Sequence, residues 1–358
     1  MNPCLAVLIA TCWVNSERIW QDYSNKVASV SKVGIIANPA SGKDIRRLVA
    51  YASIMDNVEK TNQLRRIILG IDAMGVSEIL IMPDYYGLGQ RALDGIGRGG
   101  IKAKVSIIDM PVTYTHEDST LAAELMGELG VGCIVTLGGD GTNRDVAKRS
   151  HTIPLVPVST GTNNVFPAMV EATSAGIAAG IIAQKLVDGK DTIRTHKRLV
   201  IIKNDVEIDM ALIDAVVLNQ LFIGARAIWE LSQVKQIICT RAEPTNMGLT
   251  CIGGNLHPLG PDDEHGMYLK LGNGSLKVKA AVLPGVISEV GIEEWEILAP
   301  DEEIEVFHKP SVIALDGERE ITVRASDQVK VRLQSDGPPV VDIERTIREA
   351  ARKGFFRN

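Results

Sequence analysis

Aromatic residues are scarce in this 358-residue chain: Phe, Trp and Tyr together make up 4% of it. Base-stacking platforms need several such rings, so the composition argues against a nucleic-acid binder. Positive charge is not in excess either. The formal net charge is −6, which suits neither a phosphate-backbone footprint nor a polybasic membrane surface. Cysteine shows no pattern. Cys4, Cys12, Cys133, Cys239 and Cys251 are odd in number, scattered and without CxxC spacing; this fits a reducing cytoplasm and argues against zinc or a disulfide framework. The apolar run from Pro3 to Val14 lacks a basic flank and is too short to span a bilayer. Residues 1–31 therefore read as a non-native extension from an upstream start or as an appended strand or helix, with a cleaved signal peptide ranked behind both. What is present is an ordinary globular mix, 45% hydrophobic and 23% charged, long enough for two domains.

The first half alternates in period. Val33–Ala37, Ile79–Met82, Val105–Ile108, Cys133–Leu137 and Leu155–Val158 read as strands. Helical patterns lie between them at 57–74, 88–97, from Thr115 to Gly130, and to about Ser150. Thr115 and Asp118 have the spacing of a capping box. Alternation at this length predicts an α/β, doubly wound parallel sheet with ligands at the carboxyl ends of its strands. After a helix near 171–186 the pattern becomes short strands: Arg198–Lys203, Glu207–Asp214, Gly266–Leu271, Leu276–Val282, Glu303–Val306, Ser311–Leu315, Glu320–Arg324 and Gln328–Leu333. Asn204-Asp205, Gly272-Asn273-Gly274 and Asp316-Gly317 read as turns between some of them. The expected organisation is an α/β domain over 32–165, an antiparallel all-β domain over 166–339 for substrate and oligomerisation, and a terminal helix within 340–358 that packs back on the first.

Three segments at strand ends carry the chemistry. Gly138-Gly139-Asp140-Gly141-Thr142 follows a buried strand. Its glycines allow a ligand close to the backbone, and a carboxylate there suits a metal-bound polyphosphate or a hydroxyl about to lose its proton. Asn38-Pro39-Ala40-Ser41-Gly42-Lys43 follows the first strand. It fails the P-loop pattern at Ala37 and Asp44, yet it can still offer N–H groups and Lys43 to phosphate. Ser159-Thr160-Gly161-Thr162-Asn163-Asn164 follows the fifth strand with hydroxyl and amide side chains; alternatively it is an ordinary capped helix start.

Together these segments resemble the NAD kinase/diacylglycerol kinase superfamily over roughly residues 32–350. Asn38 to Lys43 is similar to its first phosphate loop, Gly138–Thr142 to its signature, and Gly161-Thr162-Asn163-Asn164 to its Gly-Thr-x-Asn segment. Asp214 matches the acidic position of the Asn-Glu/Asp motif, and Asp316-Gly317-Glu318 matches an Asp-Gly-Glu/Gln turn. Asp109–Thr113, Ser159–Pro167 and Phe222–Ala227 are most similar to the acetoin catabolism protein X group, whose members are commonly encoded with acetoin-degrading enzymes. Two departures bear on the acceptor. Ile213 stands where NAD kinases carry Asn, and Asn246 and Met247 interrupt the Pro-Thr-Gly-Ser-Thr stretch.

The resemblance implies an ATP-dependent kinase that transfers a phosphoryl group to a hydroxyl of NAD or a related small molecule, with Mg²⁺ bridging the phosphates. Asp140 would be the base. Asn38, Ser41, Gly42, Lys43, Gly138, Gly139, Gly141, Thr142, Gly161, Thr162, Asn163 and Glu318 would face the nucleotide, and Asn164, Asp214 and Arg226 the acceptor. A homo-oligomer is expected by resemblance only. The rival readings are a non-catalytic nucleotide-binding regulator and a lipid kinase; an NAD-dependent dehydrogenase would need a Gly-x-Gly-x-x-Gly turn that the first strand lacks. The six histidines have no metal-site spacing, and His196-Lys197-Arg198 reads as a solvated strand edge.

Overall fold

The computed structural model describes residues 31–42, 51, 53, 55–97, 100–221 and 231–357. Its first layer is built from β1 (Lys32–Ala37), α1 (Asn57–Ala73), β2 (Glu78–Ile81), α2 (Leu88–Ile96), β3 (Lys104–Ile107), α3 (Glu117–Glu128), β4 (Cys133–Gly138), α4 (Asp140–Ser150), β5 (Leu155–Ser159), α5 (Ala172–Ala183) and α6 (Gly189–Thr192). The sheet is completed by β6 (Ile193–Thr195) and by a strand from the far end of the chain, giving seven strands in the order β3-β2-β1-β4-β5-β17-β6, with β17 at Pro339–Val341. β1 pairs in parallel with both β2 and β4. The chain thus builds outward through β2 and β3, then returns to the other side of β1, and the switch point lies between β1 and β4.

Continuous apolar runs form the central strands because helices cover both faces. Val33, Ile35, Cys133, Val135 and Leu137 pack with Leu64, Ile67, Ile68 and Ile71 of α1 on one side. Ile36 and Ile134 pack with Ala122, Ala123 and Met126 of α3 on the other. Asp56 caps α1 by accepting the Glu59 N–H at 2.8 Å, and Gly75, at φ +74°, follows its end. The capping box at α3 does not close. Thr115 accepts from the Glu117 N–H at 3.3 Å, while Asp118 turns back to the N–H groups of Thr113 and Tyr114 at 2.8 and 2.9 Å.

The rest of the chain forms two antiparallel sheets. The strands are β7 (Arg198–Lys203), β8 (Val206–Ala211), β9 (Asp214–Leu218), β10 (Val234–Cys239), β11 (Gly266–Leu283), β12 (Val286–Leu298), β13 (Glu303–Glu305), β14 (Ser311–Leu315), β15 (Glu318–Val323) and β16 (Val329–Gln334), with α7 (Thr250–Gly254) between β10 and β11. The six-stranded sheet runs β12-β11-β10-β9-β14-β15 and the four-stranded one β13-β16-β7-β8. Leu199, Ile201, Val217, Ile238, Ile313 and Val331 meet between them. After β17, α8 (Ile343–Arg352) packs against the first layer through Ala350, which lies in the same core as Val33 and Leu64.

Three strand expectations change. The segment 207–214 breaks into β8 and β9 around Leu212 and Ile213, because the Asp316 carboxylate captures the backbone N–H groups there. Gly272-Asn273-Gly274 is not a turn but an irregularity inside β11: Leu271 and Leu276 both sit opposite Ile292. The hairpin instead reverses beside Gly285, at φ +76°. β10 and β12 lack the alternation that marks a strand and were not expected.

α1 and α5 cross where both carry glycine. A Cβ on Gly176 would lie 2.2 Å from the Ile67 carbonyl oxygen, and one on Gly70 2.5 Å from that of Thr173. Both obstacles are backbone, so the helices must separate. Gly176→Ala is expected to cost roughly 1–3 kcal/mol, lowering Tm by about 2–4 °C per kcal/mol; thermal unfolding followed by circular dichroism measures it, and an unchanged Tm would contradict this close crossing.

Candidate active site

The switch point brings two of the glycine-containing loops together. The Asn38 N–H, just past β1, donates to the Leu137 carbonyl of β4 at 3.0 Å. The Asn38 amide nitrogen donates to Thr142 Oγ1 at 3.0 Å, and its oxygen accepts the Ala40 N–H at 2.8 Å. The loop after β5 joins through Thr160 Oγ1, which donates to Ser41 Oγ at 3.0 Å. Beneath the first loop lies Lys60 of α1, fully buried. Its ammonium donates to the carbonyls of Asn38 and Pro39 at 3.1 and 3.0 Å, and to that of Ser41. A buried ammonium needs such a set of acceptors, and here it gathers the loop's carbonyls and leaves the other face of the loop to the cleft.

Asp140 is the first residue of α4. Its carboxylate is held by the loop after β5. Oδ1 accepts the N–H of Phe166 at 2.7 Å and of Val165 at 3.0 Å, and Oδ2 accepts the latter at 3.1 Å. The group is packed about by protein. Loss of hydration raises its pKa to about 7; the Phe166 N–H opposes this, the Asp316 carboxylate adds to it, and the Arg241 guanidinium opposes it. A carboxylate that ionises near neutrality can take a proton from a hydroxyl and release it again.

Behind Asp140 three further charges are locked in place. Asp316 occupies the tight turn between β14 and β15, where it and Gly317 have φ of +51° and +83°, the arrangement that an Asp-Gly hairpin favours. Its Oδ1 accepts the N–H groups of Leu212, Ile213 and Asp214 at 3.1, 2.7 and 3.3 Å; burial pushes its pKa up, against the pull of Arg144. Arg144, also buried, donates to the Leu315 carbonyl at 2.7 Å. Arg241 is 5% exposed, meets His196 Nδ1 at 2.7 Å and lies over the Phe166 ring at 5.7 Å. Burial and this guanidinium depress the His196 pKa to about 3, so the ring is neutral and accepts from Arg241.

Two cavities meet at Asp140. The larger, about 740 Å³, is lined by Asn38, Ser41, Gly42, Gly139, Gly141, Thr142, Asn164 and Glu318. All eight are residues that sequence reasoning singled out, though Asn164, expected to face the acceptor, lies on this side instead. The smaller, about 60 Å³, is lined by Asn163 and Asp214 together with Ile213, Met247 and Leu249. Asp140, Asp316 and Gly317 border both. Asn163, expected on the nucleotide side, therefore lies on the other one. Gly138, Gly161 and Thr162 line neither. A Cβ on Gly138 would collide with Thr142 at 2.5 Å, which makes that glycine a packing requirement of the turn. Lys43 and Arg226 lie outside the described residues.

Sequence reasoning missed Lys60 and Arg241. Lys60 had a signal: it continues the buried stripe of Leu64, Ile67 and Ile71 at helical spacing. Arg241 had none, since a cation after an apolar strand reads as a solvated end. His196-Lys197-Arg198 is likewise not a solvated edge. Lys197 is 4% exposed and donates to the carbonyls of Asp263 and His265, so its charge braces a loop beneath the site. Among the described residues no group of three His, Cys, Asp or Glu is placed to hold a metal ion on its own, and no helix is long and apolar enough to cross a membrane.

Residues 33–186 match the model of the ATP-NAD kinase N-terminal domain, and residues 197–336 that of the acetoin catabolism protein X C-terminal domain. Acetoin catabolism protein X of Cupriavidus necator is 35% identical over 338 residues, which cover 91% of this chain and 94% of that protein. Among solved structures, a Bacillus anthracis protein provisionally described as a diacylglycerol kinase is 14% identical at a TM-score of 0.41, covering 87% of this chain and 96% of its own.

The raised pKa of Asp140 has a measurable consequence. Between its ordinary value of 3.8 and about 7, the folded chain keeps a proton that the unfolded chain has released, so this group's contribution to stability falls as pH rises through that window and is level above it. Asp140→Asn lacks the titration. Urea unfolding from pH 5 to 8 is expected to show the variant gaining on the wild type up to pH 7, by at most about 1.4 kcal/mol per pH unit, then holding constant. A difference independent of pH would contradict the buried, proton-holding carboxylate.

Proposed function

The chain belongs to the acetoin catabolism protein X family, and on that premise we propose that it is an ATP-dependent phosphotransferase that delivers a phosphoryl group to a hydroxyl of a small molecule, NAD being the acceptor its kinase-like half suggests. The observation that carries the reading is the position of Asp140 on a wall common to a large polar cleft and a small cavity. Phosphoryl transfer needs donor and acceptor aligned on opposite sides of the reacting phosphorus, with charge neutralised around it. A cleft of about 740 Å³ has room for a nucleoside triphosphate.

In this reading the triphosphate lies along the Asn38 to Gly42 loop and the first turn of α4. The leading N–H groups of that helix have no carbonyl partner within it. Gly139 and Gly141 keep that approach open, since a Cβ would project toward Asn164 at 2.9 Å and Glu318 at 3.4 Å. The described charges of the cleft wall are chiefly carboxylates, including Asp145, Glu318 and Asp316. That set fits a nucleotide carrying a divalent cation better than a bare one. Mg²⁺ would be held by hard carboxylate oxygens together with the phosphate oxygens, and it would supply charge neutralisation. Asp140 takes the proton of the acceptor hydroxyl, Arg241 and the N–H groups of Val165 and Phe166 favour its ionised form, and Lys60 holds the first loop in shape.

Asp140→Asn preserves the hydrogen bonds from Val165 and Phe166 but cannot accept the proton. It is expected to lower kcat by about 10²–10⁴-fold with nucleotide affinity retained, as read from product formation by mass spectrometry and from calorimetric binding of ATP with Mg²⁺. In the wild type, kcat/KM should climb as pH rises through about 7 and then level. Full activity in the variant would remove Asp140 from the chemistry.

A further inference from the structure

The large cleft continues past the Asn38 loop to the ends of β2 and β3. Strands β4, β1, β2 and β3 are parallel neighbours in that order, so the loops that follow them open on one edge of the sheet. The first two carry Asp140 and Asn38. The loops after β2 and β3 bring Tyr85 and Tyr114 to the same cleft. At about 4.8 Å between neighbours, three intervals set the end of β3 roughly 14 Å from that of β4, a span that an extended nucleoside triphosphate can bridge.

The two rings stand edge to face, with centroids 6.1 Å apart and planes at 76°. Tyr85 is 53% and Tyr114 70% exposed, so more than half of each residue faces solvent. Aromatic residues make up only 4% of the chain, yet two from separate loops meet on this wall. Each is positioned by its own loop. Asp84 accepts the N–H groups of Tyr86 and Leu88, both at 2.9 Å, and closes a turn around Tyr85. Asp118 accepts those of Thr113 and Tyr114 at 2.8 and 2.9 Å. It holds Tyr114 at φ +64°, a left-handed conformation that a bulky residue rarely adopts. Such strain persists where the surroundings over-determine it, and it gathers at ligand sites. Exposed rings fixed in advance suit a flat π-system, which stacks on them at little further cost in side-chain freedom.

We propose that Tyr85 and Tyr114 form the nucleobase site of the phosphoryl donor, with the triphosphate running back past the end of β1 to Asp140. This deepens the phosphotransferase reading and rests on it. The cleft then reads its donor in two places: phosphate at the ends of β1 and β4, and base at the ends of β2 and β3. Inorganic polyphosphate satisfies the first place only. Stacking tolerates any base, so the site selects for the presence of a base more than for its identity.

Calorimetry on the full chain with Mg²⁺ tests this with three ligands, ATP, inorganic tripolyphosphate and NAD⁺. Tyr85→Ala and Tyr114→Ala are each expected to weaken ATP binding by about 5–100-fold and to shift tripolyphosphate by less than about twofold, while Tyr85→Phe, which keeps the ring, holds ATP within about threefold. The wild type should bind ATP more tightly than tripolyphosphate. ATP affinity unchanged in both alanine variants would overturn the proposal. An equal loss of ATP and tripolyphosphate would overturn it too, since the rings would then not be reading a base. Loss of NAD⁺ binding with ATP unchanged would assign the rings to another ligand and overturn it likewise. In each of these outcomes the phosphotransferase reading stands. A wild type that binds neither ATP nor tripolyphosphate would overturn both.

Discussion

The bonds from the Val165 and Phe166 N–H groups to the Asp140 carboxylate are the constraint on which the site depends. They tie the turn after β4 to the loop after β5, and by doing so they fix where the wall between the two cavities stands. The carboxylate is stripped of water at this junction, which is why it ionises near neutrality rather than near 4. Around it the fold places cations that are themselves buried and paired: Arg241 on His196, Arg144 on the Leu315 carbonyl. The Arg241 charge favours the ionised form of Asp140, while the Val165 and Phe166 N–H groups bond its oxygens.

The two halves of the chain contribute unequally. The parallel sheet supplies the loops that a phosphate group can approach, because its switch point separates the ends of β1 and β4 and leaves α4 opening on the gap. The antiparallel sheets supply the opposite wall, through the Asp316-Gly317 turn and through Ile213, Met247 and Leu249. Asp316 is the hinge of this arrangement in a chemical sense. Its carboxylate replaces the strand partner of Leu212 and Ile213, so β8 and β9 separate at that point and turn Ile213 and Asp214 toward Asp140. One hydrogen-bonded turn thereby shapes the smaller cavity beside Asp140.

Much of this was legible in the amino-acid order. The parallel strands announce themselves as apolar runs followed by small and polar residues, and residues 38, 41, 42, 139, 141, 142, 164 and 318 line one cleft. The rest was not legible, for physical reasons. β10 and β12 have no clean alternation, so their pairing is decided by neighbouring strands rather than by their own pattern. The glycines at 272 and 274 suggested a turn, but a bulge inside β11 uses the same residues. Asn163 changed sides because its neighbour Asn164 turns toward Gly139 while its own oxygen is buried by the smaller cavity. Arg241 and Lys197 are charged residues whose partners are mostly backbone carbonyls or a neutral ring, and no sequence pattern marks such partners.

The central claim is that Asp140 stands between a bound nucleotide and a separate acceptor chamber. A crystal structure with Mg²⁺ and a non-hydrolysable ATP analogue tests it most directly. The account predicts the triphosphate along residues 38–42 and 139–142, with the Asp140 carboxylate still held by Val165 and Phe166 and facing both the terminal phosphate and the small cavity. A triphosphate seated elsewhere, or phosphate density inside the small cavity itself, would contradict it.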